Sequence, residues 1–281
     1  MANFPRTEVA GISLPRMLIG SNWILGYSHR SNAADEMIRS RYADRNAVAT
    51  LVEAYLEHGV DAMMALFSRQ PVLMDGVRMA EDRTGKKVTL IDTPILDVSD
   101  TPKGRDAARR EIEESARNGC TFCLPHHSSV ELLVSKLKGT IDRLPDYLDM
   151  IRQCGMIPGL SAHMPEIIYY ADGNGYDVET YIQIYNAAGF LMQVEVETVQ
   201  KIIWQAKKPV MTIKSMAAGR LTPFVGLTFS YSTLRPCDMV TVGAHTPQEV
   251  HEDIEFAMAA IERRLPDIEK RSSPNKTVLH Q

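Results

Sequence analysis

The chain has 281 residues, 44% hydrophobic and 23% charged, with 31 basic against 35 acidic side chains and a formal charge of -4. That length holds one large domain or two small ones and buries an ample core without disulfide staples. The charge balance shows no basic stripe, which argues against a nucleic-acid partner, and no run approaches the ~18 apolar residues of a membrane span.

The segment from Met1 to Gly11 has no apolar signal core, so a cytoplasmic protein is expected. Cys120, Cys123, Cys154 and Cys237 lack metal-finger spacing. Cys120 and Cys123 lie in a strand pattern, where residues three apart face opposite sides, so free thiols are expected.

Met1 to Ser13 reads as irregular, followed by a first strand from Leu14 to Gly20. Asn32 is placed to cap a mostly polar helix to Tyr42. A second helix from Arg45 carries Val48, Leu51, Val52, Tyr55 and Leu56 at 3-4 spacing and stops at Gly59. Strand Val60 to Phe67, helix Val72 to Thr84, strand Val88 to Ile91 and helix Gly104 to Asn118 follow.

The fourth strand is Thr121 to Leu124, after which Ser129 is expected to cap a helix through Val134. Ile157 to Leu160 is the fifth strand, Tyr181 to Tyr185 the sixth, Val210 to Ile213 the seventh and Met239 to Val242 the eighth. Helices are expected between them, and Thr246 and Pro247 begin the last, Gln248 to Arg263. The tail from Arg271 reads as loose. Eight short apolar strands alternating with helices predict a parallel sheet covered on both faces, hence a single-domain (β/α)8 barrel. An open doubly wound sheet is the competing arrangement.

Barrel chemistry sits at the C-terminal strand ends. Those ends carry Asn22, Trp23 and His29 after the first strand, Asp92 after the third, and His126 and His127 after the fourth. Ser161 and His163 follow the fifth, Gln183 and Asn186 the sixth, Lys214 the seventh and His245 the eighth. Five of the eight histidines thus fall at one face, while His58, His251 and His280 read as solvated. Two chemistries fit. His126, His163 and Asp92, completed by His29, have the donor types of a zinc- or manganese-like divalent site. Alternatively His126, His127 or His245 transfers a proton while Lys214 stabilises an oxyanion. Asn22, Trp23, Ser161, Gln183 and Asn186 would hold the substrate.

Gly155-Met156-Ile157-Pro158-Gly159-Leu160-Ser161-Ala162-His163 and Tyr181-Ile182-Gln183-Ile184-Tyr185-Asn186 resemble the fifth and sixth strands of the aldo-keto reductases. Ile213 to Arg220 resembles a seventh-strand segment, Met239 to Gly243 with Thr246 to Ile254 the last strand and helix, and Leu14 to Gly26 the opening strand. The resemblance implies a closed barrel and an NADP site in which Ser161 and Gln183 hold the nicotinamide amide. Ala162 stands where the usual asparagine would be.

Of the family's catalytic aspartate, tyrosine, lysine and histidine, only the histidine is matched, by His126 or its neighbour. Met63-Met64-Ala65 occupies the aspartate's place, the region of Arg69-Gln70 has no tyrosine, and Asp92-Thr93-Pro94 stands where the lysine belongs. The expectation is therefore a barrel enzyme, a lyase, isomerase or hydrolase, acting on a sugar-like or small carbonyl substrate by acid-base or metal-assisted chemistry. The alternatives are an NAD(P)-dependent oxidoreductase, with Arg220 in the dinucleotide pocket and His126 or Lys214 as proton donor, and a non-catalytic ligand-binding barrel. The oligomeric state is left open.

Overall fold

The structure is a computed structural model that describes residues 3–68 and 70–268. Eight parallel staves form the barrel. They are β1 (Met17–Gly20), β2 (Ala62–Ala65), β3 (Thr89–Asp92), β4 (Phe122–Cys123), β5 (Ile157–Pro158 with Leu160–Ala162), β6 (Tyr181–Ile184), β7 (Val210–Ile213) and β8 (Met239–Val242). The principal helices are α1 (Arg45–Glu57), α2 (Pro71–Thr84), α3 (Pro102–Arg117), α4 (Leu144–Gln153), α5 (Glu166–Asn174), α6 (Val196–Gln205), α7 (Pro223–Thr233) and α8 (Pro247–Glu262).

Pairing of β8 with β1, Val240 opposite Met17, excludes the open sheet. The two ends of the hydrogen-bonded ladder are the two halves of β5, one on β4 and the other on β6, so the ring closes through Gly159. A Cβ on Gly159 would lie 2.7 Å from both Leu124 Cγ and the Thr180 carbonyl oxygen. Because one neighbour is backbone, Gly159→Ala is expected to destabilise the fold by about 1–3 kcal/mol in urea unfolding. An unchanged unfolding midpoint would show that the closure tolerates a side chain.

Alternation along each stave sorts the side chains. Leu18, Ala62, Met64, Ile91, Phe122, Leu124, Ile182, Met211 and Met239 fill the interior. Their neighbours, including Met17, Ile19, Met63, Leu90, Cys123, Leu160, Tyr181, Val210 and Val240, pack outward against the helices. Both faces are dry, which is why the strands read as unbroken apolar runs.

Two segments differ from the sequence expectation. The N-terminus is not irregular: Arg6–Val9 pairs antiparallel with Ile12–Pro15. The two-residue turn is Ala10-Gly11, both with positive φ, as a tight hairpin requires. Val9 and Leu14 from this hairpin join the barrel interior and plug its floor. Ser129 does not cap a long helix. Its hydroxyl turns inward, accepting from Leu96 N at 2.9 Å and donating to Leu96 O at 3.1 Å. The helix there is only His127–Val130, followed by a 3-10 turn Glu131–Leu133 and a small hairpin of Val134–Ser135 with Thr140–Ile141. The expected loose tail from Arg271 lies outside the described residues.

Other helix starts follow their sequence signals. Asp44, Thr101, Thr222 and Thr246 each accept a backbone N–H from the first turn of α1, α3, α7 and α8. Ser31, one residue before the expected Asn32, caps the additional helix Asn32–Arg41. Among the described residues no helix is long and apolar enough to cross a membrane.

Candidate active site

A cavity of about 970 Å³ opens at the C-terminal ends of the staves. Asn22, Trp23, His29, His126, His127, Ser161, His163 and Lys214 all line it. Three of the histidines form a stack. The His127 ring lies 3.7 Å from His163, nearly parallel, and 4.2 Å from His126.

The bend after β4 brings Glu131 beneath this stack. Glu131 Oε1 accepts the backbone N–H groups of His163 (2.6 Å) and Met164 (3.0 Å). Its Oε2 lies 3.7 Å from His127 Nδ1, a buried nitrogen with no closer hydrogen-bond partner. Burial would raise the Glu131 carboxyl, but the contacts with His127 and the two backbone amides hold it below its ordinary range.

His126 and His163 are both lowered to about 4, first by burial and next by the neighbouring His127. They are neutral rings at physiological pH. The His126 Nδ1 accepts from the backbone N–H of Ser128 at 3.3 Å, so its neutral form carries the proton on Nε2.

Lys214 follows β7, where Met211 faces the interior and Val210 faces out, so simple alternation would send it outward. Its φ of 64° reverses that direction, and the side chain lines the cavity. Its Nζ lies 2.9 Å from Nε2 of His29, itself at φ 55°. Two side chains meeting from left-handed backbone is the kind of strain that collects at functional sites. Burial lowers the Lys214 ammonium from its ordinary value, and no carboxylate pairs with it among the described residues. Burial, then the charge of Lys214, lowers His29 as well.

Four expected site residues stand elsewhere. Asp92 has the outward parity of Leu90. It is fully buried against α3, accepting from Ser115 Oγ (2.6 Å), Thr93 N (2.8 Å) and Phe67 N (3.0 Å). Burial raises its carboxyl despite those bonds. Gln183 likewise faces away from the interior, its Nε2 near the carbonyls of His163 and Ile184. Asn186 folds its own loop, accepting from Ala188 N and Phe190 N and donating to Phe190 O. His245 packs edge-on against Trp23 and Tyr42 rather than lining the cavity.

These positions bear on both cofactor expectations. With Asp92 turned into the helix layer, His126, His163, Asp92 and His29 do not surround one point. The stacked His127 and His163 rings, with nitrogen lone pairs in near-parallel planes, do not converge on an ion either. Among the described residues no three ligand-type side chains at this mouth lie close enough to share a metal. For NADP, Ser161 faces the cavity while Gln183 and the outward-packed Ala162 do not. Met63-Met64-Ala65 and Asp92-Thr93-Pro94 supply no reductase proton donor, and Arg69 lies outside the described residues. The residues present do not fit a nicotinamide held in the reductase manner.

Sequence reading passed over Glu131 and the acidic wall of Glu249, Glu252 and Asp253 on α8, which lines the cavity together with basic Arg30, Arg220 and Lys214. Asp253 was detectable. It interrupts the apolar face of α8 between Val250 and Ile254, where a carboxylate has no packing role. Glu131, four residues after His127, carries no comparable signal.

No family model matches the chain, and no curated protein matches it. Solved structures do. A putative aldo-keto reductase from Pseudomonas aeruginosa superposes with a TM-score of 0.66 at 14% identity, covering 91% of this chain and 95% of that one. Aldose reductase from Giardia lamblia gives 0.55 at 12% identity, over 94% and 89%. A chain of the BexX/CysO complex from Amycolatopsis orientalis gives 0.54 at 13%, over 96% and 100%. Likeness at this identity carries architecture and not activity. The fold is a divergent aldo-keto-reductase-like (β/α)8 barrel.

Proposed function

We propose that this barrel is an enzyme that moves a proton on a small, sugar-like carbonyl substrate, a reaction of the isomerase or lyase type. The observation that carries the reading is Lys214: a cation in the cavity wall with a neutral histidine as its polar partner and, among the described residues, no carboxylate paired with it. A half-buried cation without a counter-charge favours a ligand oxygen that gains negative charge.

In this reading the substrate carbonyl oxygen sits at Lys214 Nζ. His127 takes a proton from the adjacent carbon at Nε2, and the C–H electron pair moves toward the oxygen as an enolate forms. Glu131, on the Nδ1 side of the ring, stabilises the imidazolium, as a carboxylate does behind a catalytic histidine. Neutral His126 and His163 bracket that ring without adding positive charge, and the His127 imidazolium gives the proton it took back to the enolate. Trp23 offers a flat apolar surface for a sugar face.

The test is proton NMR in D2O with a panel of hydroxyaldehydes, hydroxyketones and aldoses. The wild type should wash deuterium into the carbon next to the carbonyl of at least one compound. H127Q should lose about two orders of magnitude of that exchange, a usual contribution for general-base catalysis. Equal exchange by H127Q and wild type would sink the assignment. An NADPH fluorescence titration should show no saturable binding. Tight binding followed by carbonyl-dependent oxidation of the nucleotide would replace this reading with the oxidoreductase.

A further inference from the structure

We propose that Glu57, His58 and His251 form a binding site for one divalent transition-metal ion, zinc being the best match, that joins α1 to α8 across the β8–β1 seam. This site is separate from the barrel mouth and independent of the proton-transfer reading.

The two histidines are 193 positions apart in the sequence, and both read there as solvated; the fold pairs them instead. The His58 Nε2 lies 2.8 Å from the His251 Nδ1, and the rings meet edge to face. In that contact one nitrogen donates a proton and the other aims its lone pair at it. An ion taking the place of the shared proton would find both lone pairs already converging. Glu57 supplies the third donor: one ligand atom from each of the three side chains lies within 4.8 Å of the other two. Zinc binds imidazole nitrogen at ~2.0–2.1 Å and carboxylate oxygen at ~2.0–2.2 Å, so the two histidine nitrogens must part slightly, and Glu57, whose Oε2 lies 4.0 Å from His251 Nε2, must swing in, with water in the fourth position.

The backbone beneath the site is held. The His58 carbonyl accepts from Phe4 N at 2.8 Å, and His58 N donates back into the last turn of α1. His251 stands on the second turn of α8 beside buried Val250 and Asp253. Glu57 and His251 remain open enough for an ion to enter, with side-chain exposures of 56% and 37%. The nearby Lys86 ammonium is bound to the Leu56 carbonyl at 2.6 Å rather than to Glu57.

The experiment is a zinc titration of the full chain without a polyhistidine tag, by competition with a chromophoric chelator, alongside thermal unfolding. Wild type should take up one equivalent and melt at higher temperature with zinc present, because the ion binds only the folded state. H251A and H58A should each weaken binding by more than about tenfold, at least the cost of losing a supporting group at a metal site. Both should also lose the zinc-dependent rise in melting temperature. H163A, altered only at the mouth, should keep both. No uptake by wild type, full affinity in H251A, or loss of affinity in H163A in place of H251A would each overturn the assignment.

Discussion

Replacing Lys214 by methionine is expected to lower turnover by about three orders of magnitude, the upper range for removing a preorganised group that stabilises a developing oxyanion. Methionine keeps the length and apolar stem of the side chain and removes a desolvated charge, so the variant should be at least as stable as wild type. A loss of activity without a loss of stability separates a chemical role from a structural one.

The pH profile sharpens this test. Lys214 acts in its protonated form, and burial lowers its pKa from the ordinary lysine value. The wild-type rate should therefore fall on the alkaline side at a pH below that of a free lysine. Arginine stays charged at every accessible pH. K214R should be slow, because the fork of the guanidinium misplaces the charge, but its residual rate should lack that alkaline fall. Initial rates of deuterium exchange from pH 6 to 11 check both statements. K214M retaining a tenth or more of wild-type exchange would remove Lys214 from the chemistry.

The second large effect is on stability. Asp253 is buried in the apolar face of α8, makes no hydrogen bond or ion pair among the described residues, and lies near Glu249 and Glu252. Burial, then those two carboxylates, raises it to about 8. Below the unfolded value both states hold the proton and Asp253 imposes no cost. As pH rises from about 4 toward 8 the unfolded chain releases the proton and the folded chain keeps it, so the fold loses stability. Above 8 both are ionised and the full cost is present.

D253N removes the charge and keeps the shape. Its advantage over wild type should grow by about 3–4 kcal/mol between pH 5 and pH 8, in the stabilising direction. Paired urea unfolding curves at the two pH values measure it. An advantage that does not grow with pH would mean that Asp253 is not the titrating group. Because Asp253 lines the cavity, D253N is expected to exchange that gain in stability for weaker substrate binding.

Much of the framework is legible in the chain itself. The seventh and eighth strands fall at Val210–Ile213 and Met239–Val242, as their apolar runs indicate. The α8 start follows from Thr246 and Pro247, a cap and a preset backbone angle. Strand count, helix alternation and the clustering of His29, His126, His127 and His163 at one end are local or periodic signals, and a linear sequence carries those faithfully. The N-terminal hairpin was hidden because Arg6–Val9 is mostly polar, with only Val9 turned into the barrel.

The tertiary structure alone decided which strand-end residues share the cavity. In a barrel both faces of each stave are apolar, so sequence alternation does not reveal which neighbour points inward. That is why Asp92 and Gln183 were equally plausible as site residues and yet face the helix layer. Lys214 reached the cavity by a left-handed backbone step that no composition rule announces. The pairings of His127 with Glu131 and of His58 with His251 depend on a bend after β4 and on the closing of the last helix against the first. Sequence determined the set of chemical groups available, because residue identity and period are written along the chain. Folding determined which of them meet, because contact between distant residues is set by packing and register.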